Sequence, residues 1–510
     1  DEAWIISGDD TVYTTQPSPQ QLLNGGFHQE QGYWLDRQRL AIQPQFLQLG
    51  WSYFLNASPT GGLQLSNSGI SGGSSFQLTS GGSLTQEELT RYPQLARYAV
   101  LQIPAGVPLS TLQNFLRGQV AVSAVDSTGT LKYATGLQNA GVLDDLYYYP
   151  GKLGVIFDQH GWDFARDGTP THIKLWAPTA QAVTLELFDH ADDTAPSAAI
   201  PMQESNGVWT AGVDASWEGK YYLYAVSVYV PEDGKVDTNT TTDPYSVDIS
   251  VNGSKSRITN LDSKATKPEG WDASRSPPLR DPSDMSIYEL HIRDFSVKDG
   301  TVPAQDRGMY DAFDDQGSNG MRHLRSLARS GLKAVEIMPS FHFASVNEDK
   351  STWQTPGDLS QYPPDGTQQQ QAVSNIESQD AYNWGYDPVH YMAPEGSYAI
   401  DPDQRVKDYR SMVQALHQAG LRVIQDVVFN HTSASGESPN SNLDEIVPDY
   451  YHRLDANGSL ETASCCADTA SEHRMMEKLM IDTLMLNARE YKIDGFRFDI
   501  MSFHFTYNMK

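Results

Sequence analysis

Arg497 and Asp499 lie two apart in Gly495-Phe496-Arg497-Phe498-Asp499, so an extended backbone carries both on one face, opposite Phe496 and Phe498. A carboxylate beside a permanent cation stays ionised at neutral pH, as a nucleophile must. The alternative is a buried ion pair that only ties the structure together. Asp426 and His431 bound a second segment, Asp426-Val427-Val428-Phe429-Asn430-His431, where each serves either a site or the hydrogen bonding of a loop. In a third, Tyr382-Asn383-Trp384-Gly385-Tyr386-Asp387-Pro388, the rings either fill a core or form a platform for the apolar face of a sugar, with Asn and Asp fixing its hydroxyls. The only two cysteines, Cys465 and Cys466, are adjacent; a long-range disulfide within the chain is excluded, leaving a free pair or a strained vicinal bond.

These segments sit in a region that alternates strand and helix after the Ser276-Pro277-Pro278 break, the pattern of a parallel α/β sheet. A strand over 285–292 is followed by Met321, Leu324, Leu327 and Ala328 at helical spacing, a stop at Gly331 and a strand over 332–337. The unit repeats with Val406, Tyr409, Val413 and Leu416, a stop at Gly420 and a strand over 421–428. Thr469-Ala470-Ser471-Glu472 reads as a capping box that opens a third helix through Met476, Leu479, Met480 and Leu484, its Met-rich face core, before a strand over 495–500. Four strands and three helices make half a (β/α)8 barrel, a fold whose active sites lie at the C-terminal strand ends. The long connections 339–403 and 430–468 leave those ends, and loops of that length are usually functional. Residues 368–371, four glutamines, read as a disordered or linker-like part of the first.

The 510 residues suffice for about three domains. Before residue ~275 the chain reads as β structure, short Val/Ile/Tyr/Phe/Leu runs between Gly, Ser, Asn and Pro clusters, of the kind that builds sandwiches. The Gly/Ser-rich stretch 66–83 is a flexible loop or a turn-dense strand region, and a domain boundary falls near 147–153. Lys and Arg number 36 against 64 Asp and Glu, a net charge of −28, which disfavours nucleic acid or an anionic membrane as partner and suits a neutral ligand such as a sugar. No apolar run is long enough to span a bilayer, and Asp1-Glu2-Ala3-Trp4 lacks both an initiator Met and a basic leader, suggesting a processed or trimmed start.

Taken together, Asp426 to His431 followed by Gly495 to Asp499 resembles two signature regions of glycoside hydrolase family 13, the α-amylase family. Tyr382 to Pro388 is similar to the loop signature of its debranching subgroup, of pullulanase and limit dextrinase type, as are Ser286 to Phe295 and Cys465-Cys466 with Thr469 to Glu472. Upstream, Ile173-Lys174-Leu175-Trp176-Ala177-Pro178-Thr179 resembles the start of a family 48 carbohydrate-binding module, and Gly141-Val142-Leu143-Asp144-Asp145-Leu146-Tyr147 the preceding pullulanase N-domain. The resemblance runs from about residue 33 to the end. It implies a multidomain protein: an N-terminal β-sandwich over 1–150, a second β-sandwich of the module 48 kind over 151–275, and over 276–510 the first half of a (β/α)8 TIM-barrel catalytic domain.

The resemblance further implies a starch-debranching hydrolase that cleaves α-1,6-glucosidic linkages in pullulan, amylopectin and limit dextrins with retention of configuration. Asp499 would be the nucleophile, held by Arg497; His431 would hydrogen-bond the reacting sugar and Tyr386 would stack beneath it; Asp426, Trp384 and Asp387 would complete the substrate site. No organic cofactor is implied. Structural calcium is compatible, Asn430 being metal-associated in some relatives, although metal ligands stay unassigned. The general-acid Glu of the family follows the fourth strand, and the sequence ends at Lys510, eleven residues past Asp499, so the chain is expected to be a fragment without its acid. An isoamylase or branching-type relative, or a non-catalytic glucan-binding protein, are the alternatives. An α-glucan is the expected partner, with Trp209 and Trp217 as candidate contacts of the β domains; oligomeric state stays open, and the location is secreted or cell-surface in a bacterium, with a plastid as alternative.

Overall fold

The computed structural model describes residues 27, 29–157 and 172–510; the reading of residues 1–4 as a processed start lies outside them. The first β region is a closed seven-stranded sheet and not the expected sandwich. Around the barrel run Gly32–Asp36, Arg39–Ile42, Ala99–Gln102, Ser74–Ser80, Ser52–Ser58, Gln119–Val125 and Leu131–Gln138. Closure comes from parallel pairing of its first and last strands, Gly32 with Leu137 and Tyr33 with Gln138. A Cβ at Gly32 would stand 2.6 Å from a Leu137 methyl, so glycine lets these two strands approach. Apolar alternation predicts strands in either architecture; the edge pairing that separates them is long-range. Trp34, Leu55, Val122 and Leu137 fill the core. The Gly/Ser-rich stretch is strand-dense, with a short hairpin of Gln64–Ser66 and Gly69–Ser71 beside Ser74–Ser80.

The second β region holds two antiparallel sheets. One orders Gly154–Ile156, His172–Trp176, Val208–Gly212 and Gln203–Ser205; the other orders Ala198–Pro201, Ala182–Phe188, Tyr221–Val230 and Lys235–Thr241. Along Tyr221–Val230 the period-two pattern is explicit: Tyr222, Tyr224, Val226 and Val228 are buried, and the residues between them are half-buried. Trp209, expected as a glucan contact, is core instead, its Nε1 donating to the Ala177 carbonyl at 2.9 Å. Trp217 is half-buried, with the Lys220 ammonium 4.3 Å from its ring.

The remainder forms an open parallel sheet of four strands in sequence order: β1 (Ile287–Leu290), β2 (Ala334–Ile337), β3 (Arg422–Val427) and β4 (Gly495–Phe498). No closed eight-stranded barrel forms among the described residues. Helices α1 (Asn319–Arg329), α2 (Arg405–Gln418) and α3 (Arg474–Glu490) connect the strands. Each buries the face its periodicity marks, with Met321 and Leu324 of α1, Val406, Tyr409, Val413 and Leu416 of α2, and Met476, Leu479 and Met480 of α3 all buried. The Ser318 hydroxyl caps α1 by accepting from the Met321 amide, and Gly420, at φ 87°, ends the turn after α2. The glutamine tract is not disordered: Gln368–Ser374 is a short, solvent-facing helix.

Thr469 to Glu472 does not cap α3. The Thr469 hydroxyl donates to the Phe429 carbonyl, and Glu472 pairs bidentately with Arg453 at 2.8 and 2.6 Å. The start of α3 is satisfied from elsewhere. Asp144, 330 residues upstream in the first β region, accepts from the Arg474 amide at 3.1 Å, and the Tyr450 hydroxyl accepts from the Met475 amide while donating to Asp144. Burial pushes the Asp144 carboxyl above its usual range, with His473 and these donors pulling it back. A second tie is the fully buried Arg405–Glu348 pair at 2.7 and 2.8 Å; Glu348 also accepts from the Asn252 amide, and Arg405 donates to Ser250. Removing one side of such a network leaves buried polar groups unmatched. Asp144→Ala is therefore expected to destabilise the protein by about 2–4 kcal/mol in urea denaturation. A change within error would mean that Asp144 does not cap α3.

Candidate active site

β3 and β4 set the site. Their parallel register places Asp426 beside Arg497, with side chains on one face. The Asp426 carboxylate is buried; Oδ2 accepts from the Tyr386 hydroxyl at 2.6 Å, and both oxygens accept from Arg497 Nη1 at 3.0 Å. The same nitrogen donates to Asp499 Oδ1 at 3.0 Å, so one guanidinium corner bridges two carboxylates. Asp499 lies just past β4, its amide bound to the Val427 carbonyl at 2.9 Å, and its Oδ2 accepts from Asn430 Nδ2 at 3.3 Å. Burial raises the Asp426 carboxyl, and the Tyr386 and Arg497 donors oppose it. Asp499 thus has an orienting cation and amide while the second carboxylate takes the phenol.

The aromatic loop is held from both sides. His431 Nε2 donates to the Tyr386 carbonyl at 2.7 Å, and His291 Nε2, at the end of β1, donates to the Asn383 carbonyl at 2.8 Å. Gly385 at φ 84° makes the turn between them, where a Cβ would stand 2.7 Å from the Phe343 ring. Asp387 accepts from the Ser345 hydroxyl; its carboxyl is raised by burial and lowered by that bond. The Trp384 side chain is 58% exposed, its Nε1 donating to the Tyr382 hydroxyl at 2.8 Å. An open cleft of about 900 Å3 runs along Tyr382, Trp384, Tyr386 and Asp387. Such a groove, lined by the rings of Tyr382, Trp384 and Tyr386 and by the carboxylates of Glu377, Asp380 and Asp387, can stack a sugar and fix its hydroxyls.

Of the residues singled out in sequence, the structure brings Asp426, Arg497, Asp499, Tyr386 and His431 together. Trp384 stands exposed along the cleft, and Asp387, also in its lining, engages Ser345. Asn430, noted only for metal, binds Asp499 through its amide. Sequence reasoning missed His291, which closes β1 and anchors the loop, and Glu336 on β2, whose carboxyl is raised by burial and then by the charges of Asp426 and Glu289. Period two along β1 and β2 is the signal that could have found Glu289 and Glu336. Cys465 and Cys466 are free thiols with sulfurs 2.9 Å apart, and burial, followed by its neighbour, pushes the Cys465 thiol up to about 12.

Comparison with known proteins agrees with this layout. Residues 29–145 match the Pullulanase N2 domain, and residues 152–246 match Carbohydrate-binding module 48 (Isoamylase N-terminal domain). The chain is thus of the modular class in which these domains precede an α/β region. It is 41% identical over 462 residues to Pullulanase 1, chloroplastic, of Arabidopsis thaliana, covering 88% of this chain and 46% of that protein. It is 38% identical to a pullulanase of Klebsiella pneumoniae, covering 83% of this chain and 42% of that one. Crystal structures of apo pullulanase and of a maltotriose complex of PulA, both from Klebsiella pneumoniae, superpose with TM-scores of 0.85 at 35% and 34% identity, over 94% of this chain and 55% of theirs. The chain is similar to pullulanase-type debranching enzymes along most of its own length. It spans about half the length of the curated relatives it matches.

The bridging guanidinium makes one energetic demand. Arg497 is partly exposed and Asp426 is buried, so the pair should couple by about 1–3 kcal/mol in a double-mutant cycle of Arg497→Met and Asp426→Asn followed by urea denaturation. Additive losses would show that Asp426 does not hold Arg497.

Proposed function

We propose that this chain supplies the glucan-recognising domains and the nucleophile half of a glycosidase that cleaves α-1,6-glucosidic bonds in pullulan, amylopectin and limit dextrins. The observation that carries the reading is the bridged carboxylate pair at the C-terminal ends of β3 and β4, with the ring of Tyr386 bound to one of them. Asp499 attacks the anomeric carbon. Arg497 and Asn430 fix its two oxygens, so little reorganisation is needed as charge moves from carboxylate to ester. Tyr386 supports the apolar face of the sugar, His431 and Asp387 take its hydroxyls, Asp426 holds Tyr386 and Arg497 in place, and Trp384 extends the platform outward. A second carboxyl group then protonates the leaving oxygen and activates water against the glycosyl ester, giving net retention with the two groups about 5–5.5 Å apart.

Residues 276–510 act as the first half of a (β/α)8 barrel in this reading, after a domain over 1–150 and a module over 151–275. The exposure of Ile287 and Tyr288 on the free outer strand β1 supports it, since apolar residues on an unpaired edge invite a further layer. An α-glucan is the partner. Among the described residues no helix is long and apolar enough to cross a membrane. Relatives include a chloroplastic plant protein and a bacterial one, which supports a secreted or cell-surface bacterial location with a plastid as alternative.

In the full-length protein Asp499→Ala should lower turnover on pullulan by several orders of magnitude and leave maltotriose affinity within about threefold, because uncatalysed glycoside cleavage is very slow. Near-normal turnover would remove Asp499 from the nucleophile role. Tyr386→Ala should raise KM and lower kcat together, stacking contributing on the order of 0.5–1.5 kcal/mol beyond burial. Unchanged kinetics would place its ring outside the substrate path.

A further inference from the structure

Beside the nucleophile lies a cluster that the glycosidase reading does not use. Cys465 Sγ is 2.9 Å from Cys466 Sγ and 3.5 Å from His431 Nε2, and one ligand atom from each of the three lies within 4.8 Å of the others. Two thiols and an imidazole are a donor set for thiophilic d10 cations. Zinc–sulfur bonds of about 2.3 Å and zinc–nitrogen bonds of about 2.0–2.1 Å at a tetrahedral angle require S···N of about 3.6 Å and S···S of about 3.8 Å. The Cys465 S···N edge is already present, and the Cys466 one lies within 4.8 Å. The S···S edge must open by roughly an ångström, which a rotation of the exposed Cys465 side chain supplies.

The surroundings match as well. In the resting arrangement His431 Nε2 carries the proton given to the Tyr386 carbonyl, which leaves Nδ1 buried without a partner. Asp387 Oδ1 is also buried without a partner, and its carboxylate feels the His431 ring electrostatically. A metal on Nε2 places the proton on Nδ1, which is buried and has no other partner.

We propose that Cys465, Cys466 and His431 form a binding site for a thiophilic divalent cation, and that occupancy inhibits by taking His431 away from Tyr386 and the sugar. The step is coordination without redox. The cation bonds to two thiolate sulfurs and one imidazole nitrogen, two thiol protons leave to solvent, and the imidazole proton moves from Nε2 to Nδ1. The inhibitory half rests on the glycosidase reading; the binding half does not.

Cadmium serves as probe on the full-length protein, reduced with a phosphine. The expected result is a thiolate-to-cadmium charge-transfer band that saturates at one equivalent and is absent from the Cys465→Ser/Cys466→Ser double variant. A missing band, or one that survives the double variant, overturns the site. The band is read without substrate, so failure of the glycosidase reading leaves this result standing. Cadmium should also abolish pullulan cleavage by the parent protein and spare the double variant. Equal inhibition of both, or of neither while the band forms, overturns the displacement of His431.

Discussion

The site depends on one guanidinium. Arg497 Nη1 lies 3.0 Å from carboxylate oxygens of both Asp426 and Asp499, which would otherwise repel one another across two adjacent strands. The Asp426 side chain is 1% exposed and that of Asp499 15%, so the cation turns an unfavourable acidic pair into a division of labour. The inner carboxylate accepts the Tyr386 hydroxyl and thereby fixes the aromatic loop. The outer one keeps an amide from Asn430. Register follows from the same point, because moving β4 by one residue would exchange Arg497 for a phenylalanine on that face.

That arrangement needs a stiff frame, and the frame is assembled across domain boundaries. Asp144 reaches from the closed β barrel to the first turn of α3, the helix that leads into β4. Arg405, at the start of α2, is buried against Glu348 and against Ser250 beyond the sandwich, upstream of β3. Each helix preceding a site-bearing strand is therefore tied at its N-terminus to the β region. Buried ion pairs add little net stability compared with apolar packing, but they allow few alternative arrangements once formed. The β domains are in this sense part of the positioning of Asp426 and Asp499 as well as candidates for glucan contact.

Much of this was legible in the sequence for a physical reason. Val423, Val427, Val406 and Tyr409 are buried by local periodicity, and the two-residue spacing of Arg497 and Asp499 can be read from one strand. What failed was what depends on distant chain. The closed barrel is decided by Gly32 meeting Leu137, a pairing no local window contains. Thr469 to Glu472 has a capping sequence, yet Arg453 offers Glu472 a better partner and Asp144 takes the cap. Trp209 was a candidate sugar contact through the resemblance to a carbohydrate-binding module, but its indole faces the Ala177 carbonyl inside the sandwich. The glutamine tract carried no tertiary signal and forms a helix on the surface.

The central claim is that the Asp499 carboxylate, held by Arg497 and Asn430, attacks the anomeric carbon. Incubating the full-length protein with a fluorinated α-glucosyl fluoride that slows hydrolysis of the glycosyl ester, followed by peptide mass spectrometry, reads that bond directly. The account predicts a glycosylated peptide with the label on Asp499. A label on another carboxylate, or turnover of the reagent with no labelled peptide, would contradict it.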